Sequence, residues 1–418
     1  MSELLIAEND FAPLSDAAVV PKVLHIEDCD LVAHGPPREL AGLVELNIED
    51  GNVDGPALQR WLAVCPDLAA LDVEGAALGE LSWRVLPGRL QELSVRLGQL
   101  TAMMDPPATS GLRVIELTSC GLQSVELSPS LSGLERVSFA YNPGLVACPD
   151  LPWSARPFSL DLRGCGLDSW PAVSGAEKVS TLDLSFNPVG RVAQEVESWS
   201  SLSVLRMADC GLTHLDEALC ELPYLRELWL KDNALARLPD GLGGLSTLRV
   251  LDLSRCQLGE LPEGLAQLHG LEALLLSENP LPRVPEALLG LENLRNLQLW
   301  KTGLAGLPES LAGLNNLRQL ELSYNPLKRL PDLSELPALG YLGLCGLRTL
   351  DWQQGFGRLA ELSRVGTISF TNNDFETFDD RVFEIPGLQR IDVNKTGVAG
   401  GEWQRYRESF PDVTIWGG

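Results

Sequence analysis

One arrangement of apolar and polar positions returns along most of the chain. Residues 248–258 read LRVLDLSRCQL, 271–281 LEALLLSENPL, 294–304 LRNLQLWKTGL and 317–327 LRQLELSYNPL, a frame of 23 residues. Within each frame the stretch x-L-x-L-x alternates with a period of two, which predicts a strand with its leucines on one side. The Asn, Cys or Thr that follows is expected to turn inward and bond backbone groups that the bending chain leaves unpaired. Between frames lies a second apolar pattern, such as LPEGLAQLHG at 261–270 or LPESLAGLNN at 307–316. It predicts a short helix or turn with proline at its first position. One such unit cannot bury its own leucines, whereas neighbours stacked about 4.8 Å apart can.

Traced backward, the inward polar position falls on Asn233, Cys210, Asn187, Cys165, Asn142 and Cys120, then on weaker copies at Gly98, Ala76, Gly51 and Cys29. Forward it falls on Cys256, Asn279, Thr302 and Asn325, passes a degenerate copy at 339–347, and continues to Asn373 and Thr396. Between 120 and 279 cysteine and asparagine alternate strictly, the mark of a duplicated two-coil unit. L-x-x-L-x-L-x-x-N/C/T-x-L is the leucine-rich-repeat motif. With its L-P-x-x-L-x-x-L second half, the chain resembles the bacterial and plant intracellular families of that superfamily, whose repeats run to 22–23 residues.

That resemblance implies an α/β solenoid, a horseshoe with a concave parallel β-sheet and short helices or turns on the convex side. About seventeen coils are expected over residues 20–399, between an N-terminal cap at 1–19 and a C-terminal cap at 400–418. The C-terminal cap reads as a helix near 401–409 and a last strand at Val413–Trp416, with Trp403, Phe410 and Trp416 covering the open end. Residues 351–364 have room for a fuller helix, and 149–157 reads as an irregular insertion. DGPALQRWLAVCPD reads as a helix with Asp54 as N-cap and Pro56 just inside.

At 418 residues the chain exceeds a single ordinary globular core, so a repeat array is a natural solution. Its formal net charge of -25 argues against nucleic acid, which is held by Lys and Arg displacing counterions, and against an anionic membrane surface. No stretch reaches the ~20 apolar residues of a membrane helix. The opening MSELLIAENDFAPL carries Glu3, Glu8 and Asp10 where a secretory signal needs a basic head. A cytoplasmic monomer with free thiols is the expectation, with delivery by a dedicated effector system left open.

Motifs for chemistry are sparse. His25, His34, His214 and His269 fall in no metal-binding spacing, and no cysteine pair reads C-x-x-C; no metal or cofactor is expected. Asp50-Gly-Asn52-Val-Asp54-Gly55 matches the first half of an EF-hand loop, but Trp61 stands where a bidentate Glu is needed. C-P-D occurs at Cys65–Asp67 and Cys148–Asp150, and some bacterial effector ubiquitin ligases pair such repeats with a C-x-D motif in a separate helical domain. Here both copies lie in repeat turns, with little nearby to activate a thiolate. The chain reads as a non-enzyme.

The frame also places the side chains that leave the sheet on its concave side: those six, four and two positions before the inward residue, with the next one flanking. Early coils present Glu27, Glu49, Asp72, Glu74, Glu92 and Glu116, and the middle coils add Asp252. Later coils present Trp229, Leu275, Trp300, Tyr324 and Tyr341. The carboxylates serve either solubility or a basic partner. The aromatics gain nothing from the core and have the composition of interface hot spots. The expectation is a partner protein held on this face. The resemblance offers a small GTPase as one class, with a kinase or a toxin as others. Three readings differ from a cytoplasmic scaffold: an effector capturing a host protein, an inhibitor masking a basic enzyme and, last, a ubiquitin ligase.

Overall fold

The computed structural model describes the chain apart from residues 1–2, 17–18, 38, 105–110, 129–130, 152–155, 172–173, 193 and 418. The insertion expected at 149–157 therefore lies partly outside the described residues. Two units make up the chain, Met1–Gly190 with Glu195–Cys210, and Arg191–Gln194 with Gly211–Gly418.

In the first unit parallel strands follow one another in chain order. They are Glu3–Ala7, Val23–Glu27, Glu45–Glu49, Ala70–Glu74, Glu92–Arg96, Val114–Thr118, Arg136–Ser138, Phe158–Asp161, Val179–Asp183 and Val204–Arg206. Their register aligns Leu24, Leu46, Leu71, Leu93, Ile115, Val137, Leu160, Leu182 and Leu205, all buried. Each such side chain contributes about 1.5–3 kcal/mol by leaving water. The second unit repeats the plan in Glu227–Trp229, Val250–Asp252, Ala273–Leu275, Asn296–Gln298, Gln319–Glu321, Tyr341–Gly343, Thr367–Ser369, Arg390–Asp392 and Thr414–Trp416.

Residues 3–7, placed by the sequence in a cap, are themselves a strand in register with Val23–Glu27. Asn9 then fills the inward polar position, its Oδ1 accepting the Asp30 N–H at 2.7 Å and its own N–H reaching Cys29 Sγ at 3.3 Å. The helix Gly55–Leu62 starts as its residues require, with Asp54 accepting from Ala57 N at 2.7 Å and Pro56 in the first turn. Trp61, which stands where a calcium loop would need its bidentate Glu, is buried in the core. The segment after residue 350 forms the helix Trp352–Ala360, capped by Asp351 through Gln354 N.

The return halves differ from expectation in two places. Pro239, Pro262 and Pro285 occupy the cap position of the 3-10 turns Asp240–Gly244, Glu263–Gln267 and Glu286–Gly290, one residue earlier than the first helical place. The following Asp or Glu thus opens the turn, where a negative charge meets free backbone N–H groups. In the first unit Gly79–Ser82, Leu100–Met104 and Ser124–Val125 pair as a second, three-stranded parallel sheet instead of short helices. These segments lack the L-P-x-x-L spacing. Leu81, Leu100, Ala102, Met103 and Val125 are buried there.

At the C-terminal end the helix Gly400–Ser409 buries Trp403 and Tyr406, and Phe410 stacks on Phe383 at 4.3 Å. Trp416 does not help to close the array. Strand alternation turns Ile415 inward and leaves Trp416 exposed, with the Arg390 guanidinium 5.1 Å from its ring.

Candidate functional site

The inward positions hold each unit together. Asn187 Oδ1 accepts from Cys165 N at 2.9 Å and Leu167 N at 3.0 Å, while its Nδ2 donates to Leu162 O at 2.7 Å and Leu184 O at 2.8 Å. Asn142, Asn279 and Asn325 repeat this four-bond pattern, each binding its own coil to the one before. Asn373 bonds Leu347 N, Leu344 O and Phe370 O, and Asn233 bonds Leu212 N and Leu230 O. A single amide therefore satisfies buried donors and acceptors that would otherwise each cost about 1–3 kcal/mol.

The alternate positions bond more lightly. Cys165, Cys210 and Cys256 each donate through Sγ to a carbonyl of the preceding coil: Phe139 at 3.0 Å, Leu184 at 3.1 Å and Leu230 at 3.1 Å. Cys120 Sγ lies 3.6 Å from Asn142 Oδ1. Thr302 and Thr396 donate to Leu299 and Val393 carbonyls of their own coils. In the early coils backbone replaces side chain. A Cβ on Gly51 would stand 2.7 Å from Cys29 O and one on Gly98 2.6 Å from Ala76 O, so the coils close directly there.

Burial sets the thiol chemistry. It pushes Cys165, Cys210 and Cys256 up to about 12 and Cys120 to about 11. Cys65 of the first C-P-D is also pushed up to about 12, and Cys148 of the second is raised, again by burial. A nucleophilic cysteine needs the opposite shift. Asp54 of the EF-hand-like stretch is occupied as a helix cap. Among the described residues no group of His, Cys, Asp and Glu could hold a metal ion. No described helix is long and apolar enough to cross a membrane.

On the outward face the carboxylates do not stand alone. Arg96 reaches Asp72 at 2.7 Å and Glu74 at 3.2 Å, and Arg136 reaches Glu116 at 3.1 Å. Arg163 forks onto Asp161 at 2.7 Å and lies 3.6 Å from Asp183. Arg96 and Arg136 occupy the same outward register as the acids, so the sequence offered this signal. All of these groups but Glu74 line shallow depressions of about 500 Å³ in the first unit. Glu49 and Glu92 are exposed and Glu27 is half-buried.

Asp252, expected on the open face, is buried. Its Oδ1 accepts from Ser254 N at 2.9 Å, and Trp229 and Leu275 stand in register on the strands to either side. Trp229 is half-buried with its Nε1 donating to Glu227 at 3.0 Å. Trp300 and Tyr324 meet edge to face at 5.9 Å, and the Lys301 ammonium lies 5.5 Å from the indole. Tyr341 donates to Glu321 at 3.1 Å, and its hydroxyl is raised by burial and by that carboxylate. The structure thus joins Trp300 to Tyr324. Trp229 stands three strands earlier, about 14 Å away.

A family model for the leucine-rich repeat region matches residues 182–325. Comparison with the curated proteins finds no match. Among solved structures, a leucine-rich-repeat protein of Leptospira interrogans is similar over 99% of this chain and 99% of its own, at 22% identity and a TM-score of 0.72. The functional domain of InlJ from Listeria monocytogenes, which includes a cysteine ladder, is similar over 89% of this chain and 72% of its own, at 19% identity and TM-score 0.57. The ectodomain of the Arabidopsis thaliana receptor kinase GASSHO1/SCHENGEN3, in complex with CASPARIAN STRIP INTEGRITY FACTOR 2, is similar over 94% of this chain and 52% of its own, at 19% identity and TM-score 0.54. With the strand register and the asparagine bonds already described, the match over residues 182–325 and these likenesses give the chain the leucine-rich-repeat fold.

Proposed function

We propose that the chain is a non-catalytic module that binds a partner protein on the outward face of its parallel strands. The observation that supports this best is the Trp300–Tyr324 pair. Tyr324 is 42% exposed in the turn that follows the strand Gln319–Glu321, where it fills no core, and paired aromatics of this kind anchor interfaces. The raised thiols of Cys65 and Cys148 weigh against the ubiquitin-ligase reading. The plant ectodomain solved with a bound factor shares the fold, which supports the reading at the level of architecture.

The partner's chemistry follows from the face: a basic region against Glu27, Glu49 and Glu92, and an apolar anchor at Trp300 and Tyr324. An inhibitor that masks a basic enzyme is the second reading, favoured by the same carboxylates. Affinity purification from the native organism identifies the partner, and the doubly substituted Trp300→Ala, Tyr324→Ala chain then tests the site. Loss of the partner with an unchanged urea midpoint is the expected result. Undiminished recovery of the partner refutes the proposal.

A further inference from the structure

The residue before each inward position is held in the left-handed region, from Glu8 at φ 52° to Lys395 at φ 54°. A side chain there is strained, which is why glycine and asparagine are usual. In the first unit three of these positions carry large apolar side chains: Leu97, Tyr141 and Phe186, at φ 51°, 59° and 62°. They are 64%, 48% and 52% exposed. Neither the strand alternation nor the core asks for an apolar residue at any of them.

Their placement is regular. The strands that precede them are Glu92–Arg96, Arg136–Ser138 and Val179–Asp183, with Val114–Thr118 and Phe158–Asp161 between. The intervening positions hold Ser119 and Gly164. The column therefore runs large, small, large, small, large. Backbone bonds at this level keep it in step: Leu97 N to Thr118 O, Ser119 N to Ala140 O, Tyr141 N to Arg163 O and Gly164 N to Ser185 O. The notch at Gly164 fits the ring closely, since a Cβ there would lie 3.0 Å from Tyr141 Cδ1. Arg163 packs on the same ring, its guanidinium 5.8 Å from the centroid.

Two steps between parallel strands span about 9.4–9.8 Å. A polyproline II helix has three residues per turn and rises about 3.1 Å per residue, so one side of it returns every ~9.3 Å. A fully extended strand returns to one side every ~6.6–6.8 Å and falls out of step. The carboxylates beside the column, among them Glu92, Glu116, Asp161 and Asp183, outnumber the guanidinium groups of Arg96, Arg136 and Arg163. We propose that the column Leu97, Tyr141 and Phe186 docks a proline-rich segment in the polyproline II conformation, lying across the strands with an apolar side chain at every third residue and basic residues between. This deepens the partner-binding reading and rests on it. Aromatic grooves suit such ligands because the ligand is already extended and loses little entropy on binding.

The test uses the full chain and a fluorescein-labelled nine-residue peptide that repeats leucine, proline and arginine three times. A second peptide has an additional proline in each repeat, so that leucine returns every fourth residue. Fluorescence anisotropy at low salt should show saturable binding of the first and at least tenfold weaker binding of the second. The doubly substituted Tyr141→Ser, Phe186→Ser chain should lose at least tenfold for the first peptide. Serine is tolerated in this backbone, as Ser119 shows at φ 53°, and an unchanged urea midpoint verifies the fold. Equal binding of both spacings, no effect of the double substitution, or no binding of either peptide overturns the proposal. If the native partner is lost on Trp300→Ala with Tyr324→Ala while neither peptide binds, the partner-binding reading stands and the polyproline inference falls. If the first peptide binds through Tyr141 and Phe186 while the native partner ignores Trp300 and Tyr324, the inference stands and the aromatic anchor falls.

Discussion

Replacing Asn187 by alanine isolates what the inward amide contributes. The side chain is buried, and its carboxamide is the partner of two backbone N–H groups and two carbonyls, all within 3.0 Å. Alanine strands all four. At about 1–3 kcal/mol for each buried group left without a partner, the ceiling is near 12 kcal/mol. Water entering the small cavity and local relaxation recover part of this, so a loss of about 4–6 kcal/mol is expected. That is comparable with the whole stability of many domains. Cys210→Ala removes one thiol donor, to Leu184 O at 3.1 Å, and should cost about 1–2 kcal/mol. Urea denaturation followed by circular dichroism gives the ranking. Hydrogen exchange gives the location, since the amides of Cys165 and Leu167 should lose protection first in the Asn187→Ala chain. A loss below about 1 kcal/mol, or equal losses for the two variants, refutes the account in which the amide holds the coils together.

Three further outcomes follow from the geometry. The buried thiols should make the fold sensitive to alkali: their folded values near 11–12 lie above the ordinary 9, so the unfolded chain releases protons first and stability falls as pH rises from 9 toward 12. A melting temperature that stays flat between pH 8 and 10.5 contradicts this. Arg96→Ala should cost no more than about 1 kcal/mol, because the Arg96 side chain and its partners Asp72 and Glu74 are all partly exposed, yet it should strengthen binding of a basic peptide measured by titration calorimetry. Gly346→Ala should destabilise by about 1–3 kcal/mol, read from the urea midpoint. Gly346 sits at φ 62° and a Cβ would come within 2.7 Å of the Tyr324 ring. Gly259→Ala, with nothing within 4 Å of a Cβ, is the matched control.

The inward half of the structure was legible because burial enforces periodicity. Leucines that must face one another across stacked strands recur at fixed spacing whatever lies between them, and Asp54 with Pro56 announces a helix by local bonding alone. The outward half was less so. Arg96 meets Asp72 and Glu74 only because coil register brings residues more than twenty positions apart side by side. Asp252 looked available from its position in the frame, yet the neighbouring strands and its own bond to Ser254 draw it under cover. The small second sheet through Leu100–Met104 was missed for a related reason. Its pairing depends on return segments lying beside each other, and each segment is too short to declare its conformation. Glu3–Ala7 escaped because its pairing with Val23–Glu27 depends on register between segments about twenty residues apart.

The unequal bonding of alternate coils has a mechanical consequence. Asn142 and Asn187 each seal their coil to the one before with three short amide bonds, whereas the coil of Cys165 leans on the coil of Asn142 through one thiol–carbonyl bond at 3.0 Å. Strong and weak seams therefore alternate along the stack, and the unit that should detach under load is a pair of coils rather than a single one. From Asn142 to Asn187 such a pair contains 45 residues, and at about 3.5 Å per extended residue its release would lengthen a stretched chain by roughly 160 Å. Pulled from its ends, the protein should yield in steps of two coils, tearing at the thiols.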